Sequence, residues 1–373
     1  MTIAVSTARD WPVSRNQDIT RANEFDVAGE ARIYQSFKHF WHPVLFTREL
    51  DDKPKRVTLC GIHVVVVRLN NEVRAFNDLC AHRGTALSLG TVACGPTGEE
   101  LRCPYHGWQF DNAGVCTMAP QRPDLAGRVR ARIRRFLCEE RYGMIWVCLV
   151  DEPRYPIPEF KQWDDDSYQK IEIPSSQWST SAPRRVENFT DLGHFAIVHD
   201  GWLGDVNHPE PPKHEVWREG DSVRVKTLEP KREPGKAKYG IETEPGSDGL
   251  VDTWQNWWIH MPLTVTFNQT APGNRDYVMF FHPTPIGPKT IRNFTIAARN
   301  FGNRETAAEE IISFTQTIYA QDIEIVESQR PEELPEDLSS EMHLGGVDTP
   351  QIEYRKWLLE LADELVPQDQ TQT

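Results

Sequence analysis

The stretches CAHRGTALSLG (80–90) and CPYHGWQFDNAG (103–114) each offer one thiolate and one imidazole, Cys80 with His82 and Cys103 with His106. Twenty residues separate the two pairs. A zinc finger usually pairs cysteine with cysteine and histidine with histidine. Here each half is mixed, which suits two metals side by side, one held by both cysteines and the other by both histidines. A structural Cys2His2 zinc site is the alternative. The glycines of both stretches let backbone amides approach the sulfurs, and Trp108 can shield the centre.

Around these loops the texture is β-type. Residues 57–59, 62–69, 73–76, 108–110 and 144–149 are expected strands, with polar or glycine-bearing turns at 70–71 and 111–114. The spacing predicts a small all-β domain over 38–151, preceded by a polar arm at 1–37 and left through the proline-rich EPRYPIPEF (152–160). The remainder, 152–373, mixes strands near 251–270, 277–283 and 291–300 with helices, which fits an α+β domain with an antiparallel sheet. The segment 229–249 is rich in proline, glycine and charge, and is expected to be an irregular loop that gates a pocket.

A second constellation lies in this half. NFTDLGHFAIVH (188–199) sets Asp191 and His194 three residues apart, on one face if helical, with Asn188 one turn before. His199 falls about 140° round an ideal helix from His194. Both imidazoles therefore reach one metal only if the helix bends, bulges or ends between them. In the long helix expected over 306–329, Ile311, Thr315, Ile318, Asp322 and Ile325 follow a 4-3-4-3 inward stripe. An aspartate on that stripe needs a metal or a partner cation, a buried salt bridge being the plainer option. Two imidazoles and a carboxylate form the triad that leaves positions open on non-haem Fe(II).

The first pair of loops closely resembles the cluster-binding loops of Rieske [2Fe–2S] proteins. Together with D-x2-H-x4-H and a late Gln321-Asp322, the chain over about 38–365 resembles the terminal oxygenase subunit of Rieske non-haem iron aromatic-ring-hydroxylating oxygenases. The tail MHLGGVDTPQIEYRKWLLEL (342–361) is nearest in texture to the homotrimeric O- and N-demethylase branch, which includes vanillate and dicamba demethylases. The resemblance implies an N-terminal all-β Rieske domain and a C-terminal helix-grip catalytic domain, α+β in class, with a seven-stranded antiparallel sheet around a pocket. It implies that Cys80, His82, Cys103 and His106 bind the cluster, and that His194, His199 and Asp322 bind Fe(II). It gives Asn188 a metal-proximal place and makes Asp191 the acid joining His194 to His106 of the partner subunit in a head-to-tail trimer.

The chemistry implied is reductive activation of O2 and hydroxylation of an N- or O-alkyl carbon of an aromatic compound, which then loses the alkyl group as an aldehyde. Ring cis-dihydroxylation is the alternative reaction; a non-catalytic Rieske electron carrier is the alternative class, disfavoured by the about 220 residues that carry the second constellation. No glycine-rich dinucleotide fingerprint occurs, so NAD(P)H must be oxidised by a separate flavin reductase, with or without a ferredoxin. Trp254, Trp257, Trp258, Ile259, Met261, Leu263, Phe267, Met279 and Phe281 are candidate pocket residues, alternate ones facing inward on each strand.

Composition narrows the setting. With 41 Lys and Arg against 55 Asp and Glu, a net charge of −14 disfavours nucleic acid and anionic membrane surfaces. The longest apolar run, 144–150, is far short of the roughly 20 residues of a membrane span. No secretory signal is read at the start and the seven cysteines are an odd number, so a cytoplasmic protein without disulfides is expected. Within this acidic chain Arg128, Arg130, Arg132 and Arg134 alternate, a positive face suited to an acidic electron donor or to a solvated edge strand.

Overall fold

The computed structural model describes residues 27–241, 244–245, 247–302 and 307–366. Contacts divide the chain into two compact units, Phe37–Ile157 and the remainder. Among the described residues no helix is long and apolar enough to cross a membrane.

The smaller unit is all β. Its strands are β1 (His42–Phe46), β2 (Lys55–Leu59), β3 (Ile62–Leu69), β4 (Glu72–Asn77), β5 (Thr91–Gly95), β6 (Gly98–Arg102), β7 (Gln109–Phe110), β8 (Cys116–Met118), β9 (Arg135–Arg141) and β10 (Met144–Cys148). One sheet runs β1-β10-β9-β4-β3-β2, the other β5-β6-β7-β8. The β-branched run Val64 to Val67 in β3 is wholly buried on both faces, as a central strand packed on either side requires. Asn70 and Asn71, with φ of 53° and 64°, make the tight turn into β4. The loop after β4 carries Cys80 and the loop between β6 and β7 carries Cys103, both over a core of Val65, Phe76, Leu101 and Phe110.

The arginine stripe keeps its alternation without becoming a regular strand. Arg128, Arg130, Arg132 and Arg134 are exposed, while Val129, Ala131 and Ile133 pack inward. Backbone bonds from Cys116 to Ala131 and from Ile133 to Gly114, each 2.9 Å, hold it.

The larger unit contains α1 (Val27–Ser36), β11 (Gln169–Trp178), α2 (Ala182–Thr190), α3 (Phe195–Val198), β12 (His214–Glu219), β13 (Ser222–Thr227) and β14 (Lys231–Pro234). It continues with α4 (Gly235–Tyr239), β15 (Leu250–His260), β16 (Thr264–Ala271), β17 (Arg275–Gly287), β18 (Thr290–Arg299), α5 (Ala307–Ser328) and α6 (Thr349–Leu365). Seven strands run β11-β18-β17-β16-β15-β13-β12, antiparallel throughout, and β14 adds to β15. This is the antiparallel sheet with helices expected of a helix-grip domain. Helix α1 packs on α6, with Arg32 bonded to Asp363 and, at 2.9 Å, to Glu336. The rest of the arm, 1–26, lies outside the described residues.

Two expectations are corrected here. The segment expected as an irregular loop is regular over 231–239, because β14 pairs with β15 in register (Lys231 with Thr253, Glu233 with Val251) and α4 follows directly. On α5 the inward stripe does not end at Ile325, which is 47% exposed; it steps four residues from Asp322 to Val326, 2% exposed. A 3.6-residue repeat drifts, and the last step here is four rather than three.

Helix α2 starts at a serine cap, the Ser181 side chain accepting from the Arg184 amide, with Pro183 in the first turn. Its buried flank is an ionic lattice. Arg355 of α6 grips Glu187 through both carboxylate oxygens and reaches Glu341 at 2.7 Å; Arg184 bonds Glu341 as well. Burial pushes the Glu341 carboxyl up, but the two guanidiniums outweigh it and hold the group down to about 2, against an ordinary 4.5. A depressed carboxyl stabilises the fold fully above its unfolded value and loses that contribution as pH falls through the folded one. Glu341→Gln should therefore cost about 2 kcal/mol near neutrality, after allowance for partial exposure. Urea denaturation of both proteins should show the gap narrowing between pH 4.5 and about 2; a gap that stays constant there contradicts the pairing.

Candidate active site

Helix α2 stops at Thr190, and Asp191 takes an extended conformation (φ −78°, ψ 120°). Its Oδ1 accepts the Gly193 amide at 2.7 Å, closing a local turn. Helix α3 then starts, with His194 at its N-cap and His199 at its C-cap. Helix α2 thus ends ahead of both histidines rather than between them, and a single helical turn joins the two, His199 leaving helical geometry at its C-cap (φ −113°, ψ 36°). Their rings stand 5.1 Å apart at 70°.

Asp322 comes to them from α5. Its Oδ1 lies 3.1 Å from His199 Nε2 and 3.6 Å from His194 Nε2, and one ligand atom from each residue falls within 4.8 Å of the others. Acceptors occupy the far side of both rings: Asp191 Oδ2 at 3.2 Å from His194 Nδ1, and Gln321 Oε1 at 2.8 Å from His199 Nδ1. With Nδ1 donating in each ring, both Nε2 lone pairs face a carboxylate oxygen. Three acceptors aimed at one point repel unless a cation sits between them. His199 Nε2 is buried without a hydrogen-bond partner among the described residues. The donor set and its outer bonds fit a metal ion of the non-haem iron kind.

Asn188 Nδ2 donates to Asp322 Oδ1 at 3.3 Å, and Arg185 Nη1 lies 3.9 Å from Oδ2. Arg185 is wholly buried, its guanidinium 4.4 Å from the Trp178 ring and 4.8 Å from those of Phe281 and Tyr319. Burial pushes the Asp322 carboxyl up; positive charge around it, Arg185 included, outweighs burial, and the group ends below its usual range.

In the smaller unit Cys80 and Cys103 are buried, while His82 and His106 are half-buried nearer the loop tips. Each loop is closed by a glycine amide on the cysteine carbonyl, Gly84 on Cys80 at 2.8 Å and Gly107 on Cys103 at 3.1 Å. Both glycines adopt positive φ, 65° and 71°, which a side chain would strain. The two imidazoles stand 4.6 Å apart, and His82 stacks on Trp108 at 4.5 Å. Burial raises the Cys80 thiol to about 11. Thiols inside and imidazoles outside is the arrangement an inner and an outer iron would use.

A cavity adjoins Asn188, His194, His199 and Asp322. Of the candidate pocket residues, Trp257, Phe267 and Met279 line it. Trp254 and Trp258 do not, because β15 turns its odd-numbered residues inward. Trp254 is 46% exposed and Trp258 carries the Arg224 guanidinium on the outer face. Ile259, Met261, Leu263 and Phe281 are buried but belong to the surrounding core; Phe281 stacks on Phe189 at 4.5 Å. Sequence reasoning missed the polar wall made by Lys231, Glu233, Lys238, Gln255 and Gln269. Its signal was the alternation of Lys231 and Glu233, hidden in a segment whose composition suggests a loop.

Residues 40–130 match the Rieske [2Fe-2S] domain, and residues 178–364 match the vanillate O-demethylase oxygenase C-terminal domain. Methylxanthine N1-demethylase NdmA of Pseudomonas putida is 34% identical over 87% of this chain and 89% of its own. Methylxanthine N3-demethylase NdmB of the same organism is 33% identical over equal shares. The solved structure of Pseudomonas putida CBB5 NdmB aligns with a TM-score of 0.76 at 32% identity, covering 88% of this chain and 91% of that one. Dicamba monooxygenase bound to dicamba shares the fold, with a TM-score of 0.71 at 21% identity over 88% and 98%. The chain belongs to the Rieske non-haem iron oxygenases, as a terminal oxygenase of the demethylase type whose family uses a [2Fe–2S] cluster, mononuclear iron, O2 and electrons from a reductase.

Proposed function

We propose that this oxygenase oxidatively dealkylates an N- or O-alkyl aromatic compound, with Cys80, His82, Cys103 and His106 holding the cluster and His194, His199 and Asp322 the iron. The observation that carries this reading is the convergence of two Nε2 atoms and Asp322 Oδ1 beside an aromatic-walled cavity. Bound iron, fed through the cluster, supplies reductive activation of O2. One alkyl carbon gains an oxygen atom, the second oxygen leaves as water with two electrons and two protons, and the carbinol releases an aldehyde and the dealkylated ring. The similarity to NdmA and NdmB, both N-demethylases, favours this over ring dihydroxylation.

The protein's own groups hold the geometry. Asp191 and Gln321 keep the protons of His194 and His199 on Nδ1 and fix the ring planes. Asn188 steadies Asp322, while Trp257, Phe267 and Phe195 exclude water and present a flat apolar slot. We place the protein in the cytoplasm as a homotrimer supplied by a flavin reductase, directly or through a ferredoxin, with Asp191 also bonding His106 of the partner subunit. The exposed arginines from Arg128 to Arg134 are the proposed landing face for an acidic donor.

Incubation with NADH, a reductase and methylated aromatic compounds should release formaldehyde and the demethylated ring in equal amounts; a cis-diol without aldehyde would sink the dealkylation reading. Asp322→Ala should lower bound iron from about three atoms per chain to about two with the cluster spectrum intact. Asp191→Ala should leave the cluster reducible, loosen iron by about 10- to 100-fold and cut product formation by orders of magnitude. Full iron with normal single-turnover electron transfer would route the electrons elsewhere. Reversing charge at Arg130 and Arg132 should raise the donor concentration for half-maximal turnover, most at low salt. An unchanged donor and salt dependence would move the docking face.

A further inference from the structure

One wall of the cavity carries more positive than negative charge. Lys231 and Glu233 stand two apart on β14, and therefore on one face of it. Lys231 pairs with Thr253 of β15, and Gln255, two residues on, pairs with Gln269 of β16. Lys231, Glu233, Gln255 and Gln269 all line the cavity, as does Lys238 of α4, so three adjacent strands and a helix build one polar patch in an otherwise aromatic chamber.

Part of the patch is internally matched, but Glu233 Oε2 and Gln255 Oε1 are buried without a hydrogen-bond partner among the described residues. Glu233 Oε1 accepts from Tyr239 and from Gln269, and Gln269 in turn accepts from Lys238. Lys238 also lies 4.8 Å from the Tyr277 ring centre. Lys231 is the unpartnered cation of the wall. Its Nζ is buried and has no hydrogen-bond partner among the described residues, and it stands 4.1 Å over the Phe195 ring. Burial lowers this amine to about 8, with Glu233 opposing the shift and Lys238 adding to it. Two lysines face one glutamate, while Asp322 is taken up by the histidines and Arg185. A buried ammonium is costly without an acceptor, and an aromatic face compensates only in part. Even with the free Oε2 of Glu233 nearby, one carboxylate cannot balance two ammoniums, and an anionic oxygen on whatever fills the cavity would offset the remaining charge.

We propose that Lys231 is a specificity-determining residue, and that the cavity selects an alkylated aromatic compound bearing an anionic oxygen, which the Lys231 ammonium binds. The oxygen belongs either to a carboxylate or to an ionised ring oxygen, since both offer the same charge-assisted acceptor. This rests on the reading of the cavity as the substrate pocket. Phe195 follows His194 in the chain, so an oxygen anchored over it is tied to the segment that carries the metal-side histidine. The anchor would thereby decide which alkyl group faces that side.

Calorimetric binding to the resting holoenzyme tests this without turnover. The probes are 4-methoxybenzoate against its methyl ester, and 4,6-dinitroguaiacol, ionised at its ring oxygen at neutral pH, against 1,2-dimethoxybenzene. One anion should bind about 10- to 100-fold more tightly than its neutral partner, and the pair that responds identifies the oxygen. Lys231→Met, which keeps the apolar stem, should erase that preference by weakening the anion alone, and Lys231→Arg should restore most of it. The wild-type comparison stands even if the methionine variant folds poorly. Equal affinity within both pairs, or equal weakening of anion and neutral compound in the methionine variant, overturns the proposal. Aldehyde release from acid and ester with equal efficiency would overturn it while leaving dealkylation standing. A charge preference without aldehyde from any probe would support it and count against dealkylation alone.

Discussion

A buried carboxylate sets the terms for the larger unit. Asp322 is 4% exposed on an otherwise apolar face of α5, where an ionised oxygen needs positive charge on nearly every side. Arg185 answers from α2, and that guanidinium is itself buried, so it needs the rings of Trp178, Phe281 and Tyr319 around it. Those rings come from β11, β17 and α5, which ties sheet and helix together through one charge. The opposite demand is met by His194 and His199, whose Nε2 atoms reach Asp322 only because α2 ends at Thr190. The lattice of Arg184, Glu187, Glu341 and Arg355 then holds α2 against α6. Removing any of these supports would leave a charge stranded in a dry interior.

The ease of reading this chain varies with how local the deciding interaction is. The two Cys-x-His and Cys-x2-His loops are short, closed by their own glycines, and legible from spacing alone. Asp322 is legible from helical period, since a charge on an apolar stripe has few explanations. The end of α2 ahead of both histidines was not legible, because the turn that makes it depends on Asp191 accepting the Gly193 amide. The run WQNWWIH at 254–260 could not be phased. Tryptophans occur on both faces, and pairing with β13 and β16 decides that Trp257 goes in while Trp254 and Trp258 stay out.

The polar wall was opaque for a different reason. Composition treats lysine, glutamate and proline as signs of a solvated loop, and usually rightly. Here the backbone of 231–234 finds its hydrogen bonds on β15, about twenty residues downstream, and two of its charges turn inward. No local pattern encodes that pairing.

The order of the pieces along the chain has a consequence for synthesis. Helix Val27–Ser36 rests on Thr349–Leu365, yet all of Phe37–Ile157 is made between the first helix and the unit it joins. As the chain leaves the ribosome, the smaller unit has its ten strands in hand by Cys148 and can close early. The first helix has to wait more than 300 residues for its partner. At cellular elongation rates that wait is about 15 to 60 s. Through it the helix must be tolerated unpacked or shielded by a chaperone, so shortage of a late-arriving C-terminus would be felt first at the other end of the chain.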